Sequence, residues 1–240
     1  MKPNLEIVRP SELLRERVVD AIRRAIMHGV FAPGQRLTER ELIELTGVSR
    51  TSIREALRHL ESAGLIENHP GRGLRVPILT ASQIEHIYDI RAALEPAAVR
   101  LFVERATAEE VTALVDVCSR LAAGARSSGA PDEPVDERQA NYVTFDEMLL
   151  KGARNPILEQ MLGSLFTRIH ALRPVSLTMP GRLEAARREF AGLVEAIAER
   201  DGDRASRLAY EHVVNAKTAA LWAVAHAALA DDGPPPVSRS

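Results

Sequence analysis

Between residues 38 and 64, four residues cut the chain into two short helices of fixed length. Thr38, with Glu41 three residues later, matches a helix start in which a hydroxyl accepts from the backbone and the acid answers it. Gly47 suits the left-handed turn that ends a helix, Ser49 suits the next N-cap, and Gly64 closes the second helix. So short a gap between Gly47 and Ser49 forces the two helices to meet at a tight turn. In the second of them Ile53, Ala56, Leu57 and Leu60 recur at three- and four-residue steps, which makes one inward stripe. The opposite face carries Thr51, Arg54 and Arg58, with Arg50 and Ser52 at its start.

The flanks complete the unit. Upstream, Leu14, Val18, Ile22, Ala25 and Ile26 mark a helix from near Ser11 to Gly29, followed by the turn "APGQ". Downstream, "LIENHPGRGLRVPI" holds two short apolar-rich runs joined through "HPGRG", a small hairpin. Three helices and a hairpin form the layout of a winged helix-turn-helix over residues 1–78, with Pro77 and the region around Thr80 as a brief linker. Residues 1–78 hold 13 Lys/Arg against 10 Asp/Glu, and the remainder holds 18 against 23, so the first segment suits a polyanion. Charge alone favours a solvated helix face whose arginines merely keep it soluble. The preceding capped helix, the tight turn and the basic hairpin decide for double-stranded DNA, since small hydroxyls allow close approach and arginines reach guanine edges or phosphates.

Beyond residue 80 the pattern is helical almost to the end, and the chain is mostly α. Helices are expected over 81–104, 107–126, 136–151, 155–172, 181–200 and 202–229, an all-helical bundle spanning residues 79–230. "SSGAPDEP" reads as an exposed loop, "LRPVSLTMPG" as a break between helices, and the tail 231–240, "DDGPPPVSRS", as disorder. Hydrophobic residues at 45% and charged residues at 27% suit a globular protein with a sizeable core. No run approaches the roughly 18 apolar residues of a membrane span, and the N-terminus lacks the apolar core of a signal peptide, so no membrane partner and a cytoplasmic location are expected. The single cysteine, Cys118, sits among Leu114, Val115, Val117 and Leu121 as a small core residue. One cysteine permits neither an intramolecular disulfide nor a cysteine cluster for zinc.

One stretch resists the simple reading. In "NYVTFDEML", Tyr142, Phe145, Asp146 and Leu149 share a helix face, which puts a carboxylate on an apolar stripe. A buried carboxylate needs a cation, a hydrogen-bond donor, a metal or a ligand beside it.

The run "IRRAIMHGVFAPGQRLTERELIELTGVSRTSIREALRHLESAGLIENHPGRGLRV" resembles the DNA-binding domain of the GntR family of bacterial transcription regulators, with the framework "GxxxPGxxLxExEL…GVSRTxxREALxxLExxGLI" kept nearly intact. The resemblance implies base reading or anchoring by Arg50 and Arg54, phosphate contacts from Ser49, Thr51 and Ser52, and a backbone grip by Arg40. In the wing it implies close approach at Gly71, with His69 and Arg72 at the minor groove.

The second half is similar to the FCD class of these regulators through "RAALEPAAVRL", "NPIL" and "AIAERDGDRASRLAYEH". Many members hold a divalent metal through an Asp and a His four residues apart and two further histidines. By resemblance those positions are Tyr142, Asp146, Phe190 and His212 here. Phe190 cannot ligate and Tyr142 is a poor ligand, so Asp146 and His212 are the residual metal candidates and no cofactor is expected. The resemblance implies instead an effector pocket drawing on Arg91, Glu95, Tyr142, Asp146, Phe190, His212 and Asn215, with Arg91 as the cation for Asp146 or for an anionic effector. Arg91 and Glu95, four apart, also fit an ordinary internal ion pair. Phe190 and Tyr142 favour an effector with an apolar portion, an organic acid or an acyl-CoA-like molecule.

These readings add up to a homodimeric, ligand-controlled repressor on a short palindromic operator. Two rivals stand beside it: an enzyme using Asp146, His212 and Arg91 on a small organic acid, and a DNA-binding protein with no effector. No Gly-rich phosphate loop or nucleophile elbow supports the enzyme.

Overall fold

The computed structural model describes residues 10–71, 73–123 and 135–231. The chain divides into two compact units, with the break between Ile78 and Leu79.

The first unit contains α1 (Pro10–Met27), α2 (Glu39–Thr46), α3 (Arg50–Ser62), β1 (Glu67–His69) and β2 (Gly73–Arg75). Its caps form as their residue types require. Thr38 Oγ1 accepts from Glu41 N at 3.2 Å, and Gly47, at φ 67°, returns its N–H to Ile43 O at 2.8 Å. Ser49 Oγ accepts from Ser52 N at 3.4 Å and opens α3. The inward stripe Ile53, Ala56, Leu57 and Leu60 is buried, as are Val18, Ile22 and Ile26 of α1, which packs against α3. β1 and β2 pair antiparallel in the register Glu67↔Arg75, Asn68↔Leu74, His69↔Gly73, and Arg75 closes on Glu67 across the pair at 2.6 Å.

The second unit contains α4 (Ala81–Arg105), α5 (Ala108–Ala123), α6 (Val135–Gly152), α7 (Pro156–Ser176), α8 (Arg182–Ala198) and α9 (Gly202–Asp231). α4 runs along α9, while α5 packs on α8 and α6, and α6 on α7. Phe102, Leu114, Cys118, Leu149, Leu162, Phe166 and Ile197 form its centre. Gly152 lies directly against the Phe102 ring, where a Cβ would collide with it. Cys118 is fully buried, and burial pushes its thiol pKa up. No described helix is long and apolar enough to cross a membrane.

Two readings change. Thr80 is not linker but the N-cap of α4, in a full capping box: Gln83 N donates to Thr80 Oγ1 at 3.2 Å, and Thr80 N to Gln83 Oε1 at 2.9 Å. The break expected from residue 172 also comes later, because α7 runs through Pro174 to Ser176. A proline inside a helix leaves the carbonyl four residues back without its donor. Here that carbonyl belongs to His170, and Gln139 Nε2 of α6 donates to it at 2.8 Å. The loop expected at 127–134 and the tail from 232 onward lie outside the described residues.

Candidate DNA-reading face and buried polar site

On α3 the short turn after α2 leaves the polar face open. Arg50, Thr51 and Arg54 are exposed, Ser52 is half-buried, and Ser49 caps the helix between them and α2. Glu39, the first residue of α2, accepts from Arg54 Nε at 2.6 Å and stands 3.9 Å from Arg50 Nε, so one carboxylate organises both arginines. That bond raises the Arg54 pKa further. Arg40 is exposed, 3.8 Å from Glu44. In the wing, His69 Nδ1 lies 3.1 Å from Pro70 O, and Gly71 takes φ 75°, a left-handed conformation that favours glycine at this turn. Arg72 lies outside the described residues. Glu39 had no place in the sequence reading, although its position before Arg40 at a helix start was visible.

In the second unit Asp146 is buried, and its neighbours differ from those expected. His170 Nε2 of α7 lies 3.0 Å from Asp146 Oδ2, and Arg173 lies 3.6 Å from the same oxygen. Arg173 also meets His170 Nδ1 at 2.9 Å and covers the Tyr142 ring with its guanidinium carbon 4.1 Å from the centroid. A guanidinium can only donate, so His170 Nδ1 accepts and the neutral imidazole carries its proton on Nε2, close to Asp146 Oδ2 but outside hydrogen-bond geometry with it. Burial, with the charge of Arg173, pushes the His170 pKa down to about 4, so the ring is neutral at pH 7. Burial alone would raise the Asp146 pKa, but His170 and Arg173 outweigh it and hold the carboxyl below its ordinary range.

Arg91 does not pair with Asp146. Its NH2 donates to Glu95 Oε1 at 3.0 Å, the internal ion pair that the four-residue spacing allowed. Its guanidinium also lies 4.7 Å from the Tyr88 ring centroid. The pair leaves buried polar atoms unsatisfied: Arg91 Nε and NH1, and Glu95 Oε2, have no hydrogen-bond partner among the described residues.

A third group builds on α8 and α9. Glu189 accepts from Arg182 at 2.8 and 2.9 Å, lies 2.6 Å from His212 Nδ1, and accepts from Asn215 Nδ2 at 2.8 Å. Burial would raise the Glu189 pKa, but the bonds from His212 and Arg182 hold it at about 2. Burial pushes His212 down, against the pull of Glu189.

Two adjoining hollows join these groups. One is lined by Arg91, Glu95, Asp146, Arg173 and His212 on its polar side and by Val99, Phe145, Leu149, Phe190, Leu193 and Ala209 on its apolar side. The other, lined by Tyr88, Tyr142, Ser176 and Arg182 among others, shares Arg91, Arg173 and His212 with the first. Each has room for about one water molecule. Asn215 is exposed and lines neither.

These residues do not fit a metal. Tyr142, Phe190 and His212 do gather: the Phe190 ring centroid is 5.5 Å from that of Tyr142 and 5.0 Å from that of His212. Phe190 has no lone pair to give and Asp146 faces His170 and Arg173, so His212, with Nδ1 bonded to Glu189, could offer only Nε2, a single ligand. His170, Arg173, Arg182 and Glu189 were missed from sequence; the visible signal was His170 and Arg173 falling at i+4 and i+7 from buried Phe166.

A capped helix-turn-helix with a two-stranded wing, followed by a helical bundle with a polar interior, defines a two-part DNA-binding regulator. The family comparisons agree: the model for bacterial regulatory proteins of the gntR family matches residues 14–76, and the FCD domain model matches residues 86–215. The chain belongs to the GntR family and carries an FCD domain. It is 30% identical over 191 residues to the HTH-type transcriptional regulator YdhC of Bacillus subtilis, covering 80% of this chain and 84% of that one. It is 25% identical to the HTH-type transcriptional repressor RspR of Escherichia coli, over 85% of this chain and 87% of the relative. The solved structure of E. coli McbR/YncC superposes with a TM-score of 0.72 at 24% identity, over 90% of this chain and 98% of that one, a likeness of fold.

Proposed function

We propose that this regulator acts in the cytoplasm as a homodimeric repressor, reading a short palindromic operator through α3 under the control of a small anionic metabolite, an organic acid, bound in the helical unit. The DNA reading rests on the exposed arginines of α3, held by one carboxylate at the edge of a buried apolar stripe. Arg50 and Arg54 read bases, Ser49, Thr51, Ser52 and Arg40 contact phosphates, and His69, Gly71 and Arg72 set the wing at the minor groove. The effector reading rests on the two hollows between helices, with three guanidinium groups on their walls. Effector control requires that ligand bind one arrangement of the protein better than the other, which shifts the population.

The site works without a metal and returns its ligand unchanged. Selection of duplexes from a random library by the purified chain should yield a palindrome, and an unselective outcome would defeat the DNA reading. A thermal-shift screen of organic acids on chelator-treated protein, repeated with added divalent ions, tests the pocket and the metal together. Any hit should be recovered chemically intact, and its turnover would favour an enzyme instead.

A further inference from the structure

We infer that the buried hollow of the helical unit binds a zwitterionic α-amino acid with a short aliphatic side chain, its carboxylate on Arg91 and its ammonium on Glu95. The inference rests on the reading of this unit as an effector domain and narrows the ligand's class.

Three observations meet in one place. First, Arg91 and Glu95 are both more than nine-tenths buried, and each uses only part of its capacity on the other. Arg91 keeps donors at Nε and NH1, Glu95 keeps an acceptor at Oε2, and both residues line the same hollow. Leaving such groups unpaired in a low-dielectric interior is costly, so a ligand carrying an acceptor and a donor close together recovers that cost. An α-amino acid carries both on one carbon.

Second, the charge around the hollows is already balanced. Arg91, Arg173 and Arg182 stand against Glu95, Asp146 and Glu189. A dicarboxylate would bury two uncompensated negative charges and a simple monocarboxylate one, whereas a zwitterion adds none. Glu95 and Asp146 on the same wall further oppose a bare anion and favour an ammonium.

Third, the wall facing these groups is apolar and compact. Val99, Phe145, Leu149, Phe190, Leu193 and Ala209 offer an aliphatic side chain a dry surface. The hollow is small, so entry requires these side chains to part. A valine- or leucine-sized substituent asks less of them than an aromatic one.

The test uses the full chain, treated with chelator, and three matched probes: L-leucine, 4-methylpentanoate, which lacks the ammonium, and 3-methylbutylamine, which lacks the carboxylate. L-leucine should raise the melting temperature and bind at least about tenfold more tightly than either analogue, because each analogue leaves the spare buried atoms of one of the two residues unpaired. Binding of 4-methylpentanoate as tight as that of leucine overturns the inference in favour of a plain anion site, and so does the absence of any leucine binding. Glu95→Gln keeps an acceptor for Arg91 but removes the charge, so it should abolish the preference for leucine over 4-methylpentanoate. Arg91→Lys keeps the charge and loses the extra donors, so it should weaken leucine. If both variants keep the wild-type preference, the residues are misassigned and the inference falls. Leucine binding that leaves affinity for a selected duplex unchanged would defeat the effector reading while the site stands.

Discussion

The molecule holds charge in two opposite ways. On the first unit one carboxylate, Glu39, steadies Arg54 and Arg50 in the open, where side chains are 34% to 71% exposed and water screens each pair. In the second unit Asp146, His170, Arg173, Arg91 and Glu95 are packed among rings and aliphatic chains with under 10% exposure. Exposed pairs of this kind add little to folding and are free to exchange partners, which suits the DNA-reading role proposed for this face. The buried set cannot exchange partners without leaving a charge unpaired. Its arrangement is therefore tied to the packing of α4, α6 and α7, the elements from which a ligand-sensitive switch can be built.

The largest effect should come from breaking the buried set. Asp146→Ala leaves Arg173 beside the Tyr142 ring with no carboxylate, and removing one partner of a buried pair costs about 3–5 kcal/mol. Urea unfolding of the full chain measures it. A loss well under that range would mean that water already shares Arg173, and the contrast between the two units would weaken.

Acid provides the next test. His170 is held neutral, with a pKa near 4 against an unfolded value of about 6.5, so the unfolded chain takes up the proton first as pH falls. Stability contributed by the neutral ring is full above about pH 6.5 and is lost on the way down to about pH 4. Glu189 is depressed to about 2, so its contribution is present above its unfolded value near 4.3 and drains away between there and about pH 2. Asp146 shifts in the same sense, and His212 in the same sense as His170. Melting temperature should therefore fall continuously below about pH 6.5, and His170→Gln should flatten the upper part of that slope. A variant with the wild-type slope would show that His170 is not the group being protonated.

How much of this was legible beforehand divides along the same line. The caps at Thr38, Gly47 and Ser49 are local chemistry, fixed by residues three or four apart, and the helices of both units follow from apolar spacing. Asp146 could be marked as a buried carboxylate because its own helix face said so. Its partners could not, since His170 and Arg173 come from another helix and the contact depends on how α6 and α7 pack. Pro174 compounded the miss. It reads as a helix end unless one knows that Gln139 stands ready to donate to the carbonyl it orphans. Glu39 escaped for the reverse reason, because an acid at the first turn of a helix is so ordinary that nothing singles it out.

On the exposed side the effects on folding should be slight and those on DNA large. Arg54→Ala should leave the melting temperature within about 2 °C of wild type, since the side chain is exposed and, among the described residues, tied only to Glu39. Affinity for a selected duplex should drop on the order of ten- to a hundredfold, the worth of a base-reading arginine. Equal losses on selected and random duplexes would make Arg54 a phosphate contact and move base reading elsewhere on α3.

The smallest change in stability, and the finest test of the contrast, is Glu39→Ala. A carboxylate facing a polyanion opposes binding, so affinity alone does not account for its place between Arg50 and Arg54. Under the proposed base-reading role, engaging Arg54 at Nε would leave the terminal nitrogens for a guanine edge, while the charge of Glu39 would discourage indiscriminate phosphate contacts. Removing it frees an arginine for phosphate. Binding to random-sequence duplex should then tighten and its dependence on salt should steepen, by about 0.9 in the slope of log affinity against log salt for one added contact. The ratio of specific to non-specific affinity should fall, because Arg54 is no longer pre-set. An unchanged slope would mean that DNA displaces Glu39 in wild type, and the pair would then be a feature of the free protein only, without influence on which sequence is read.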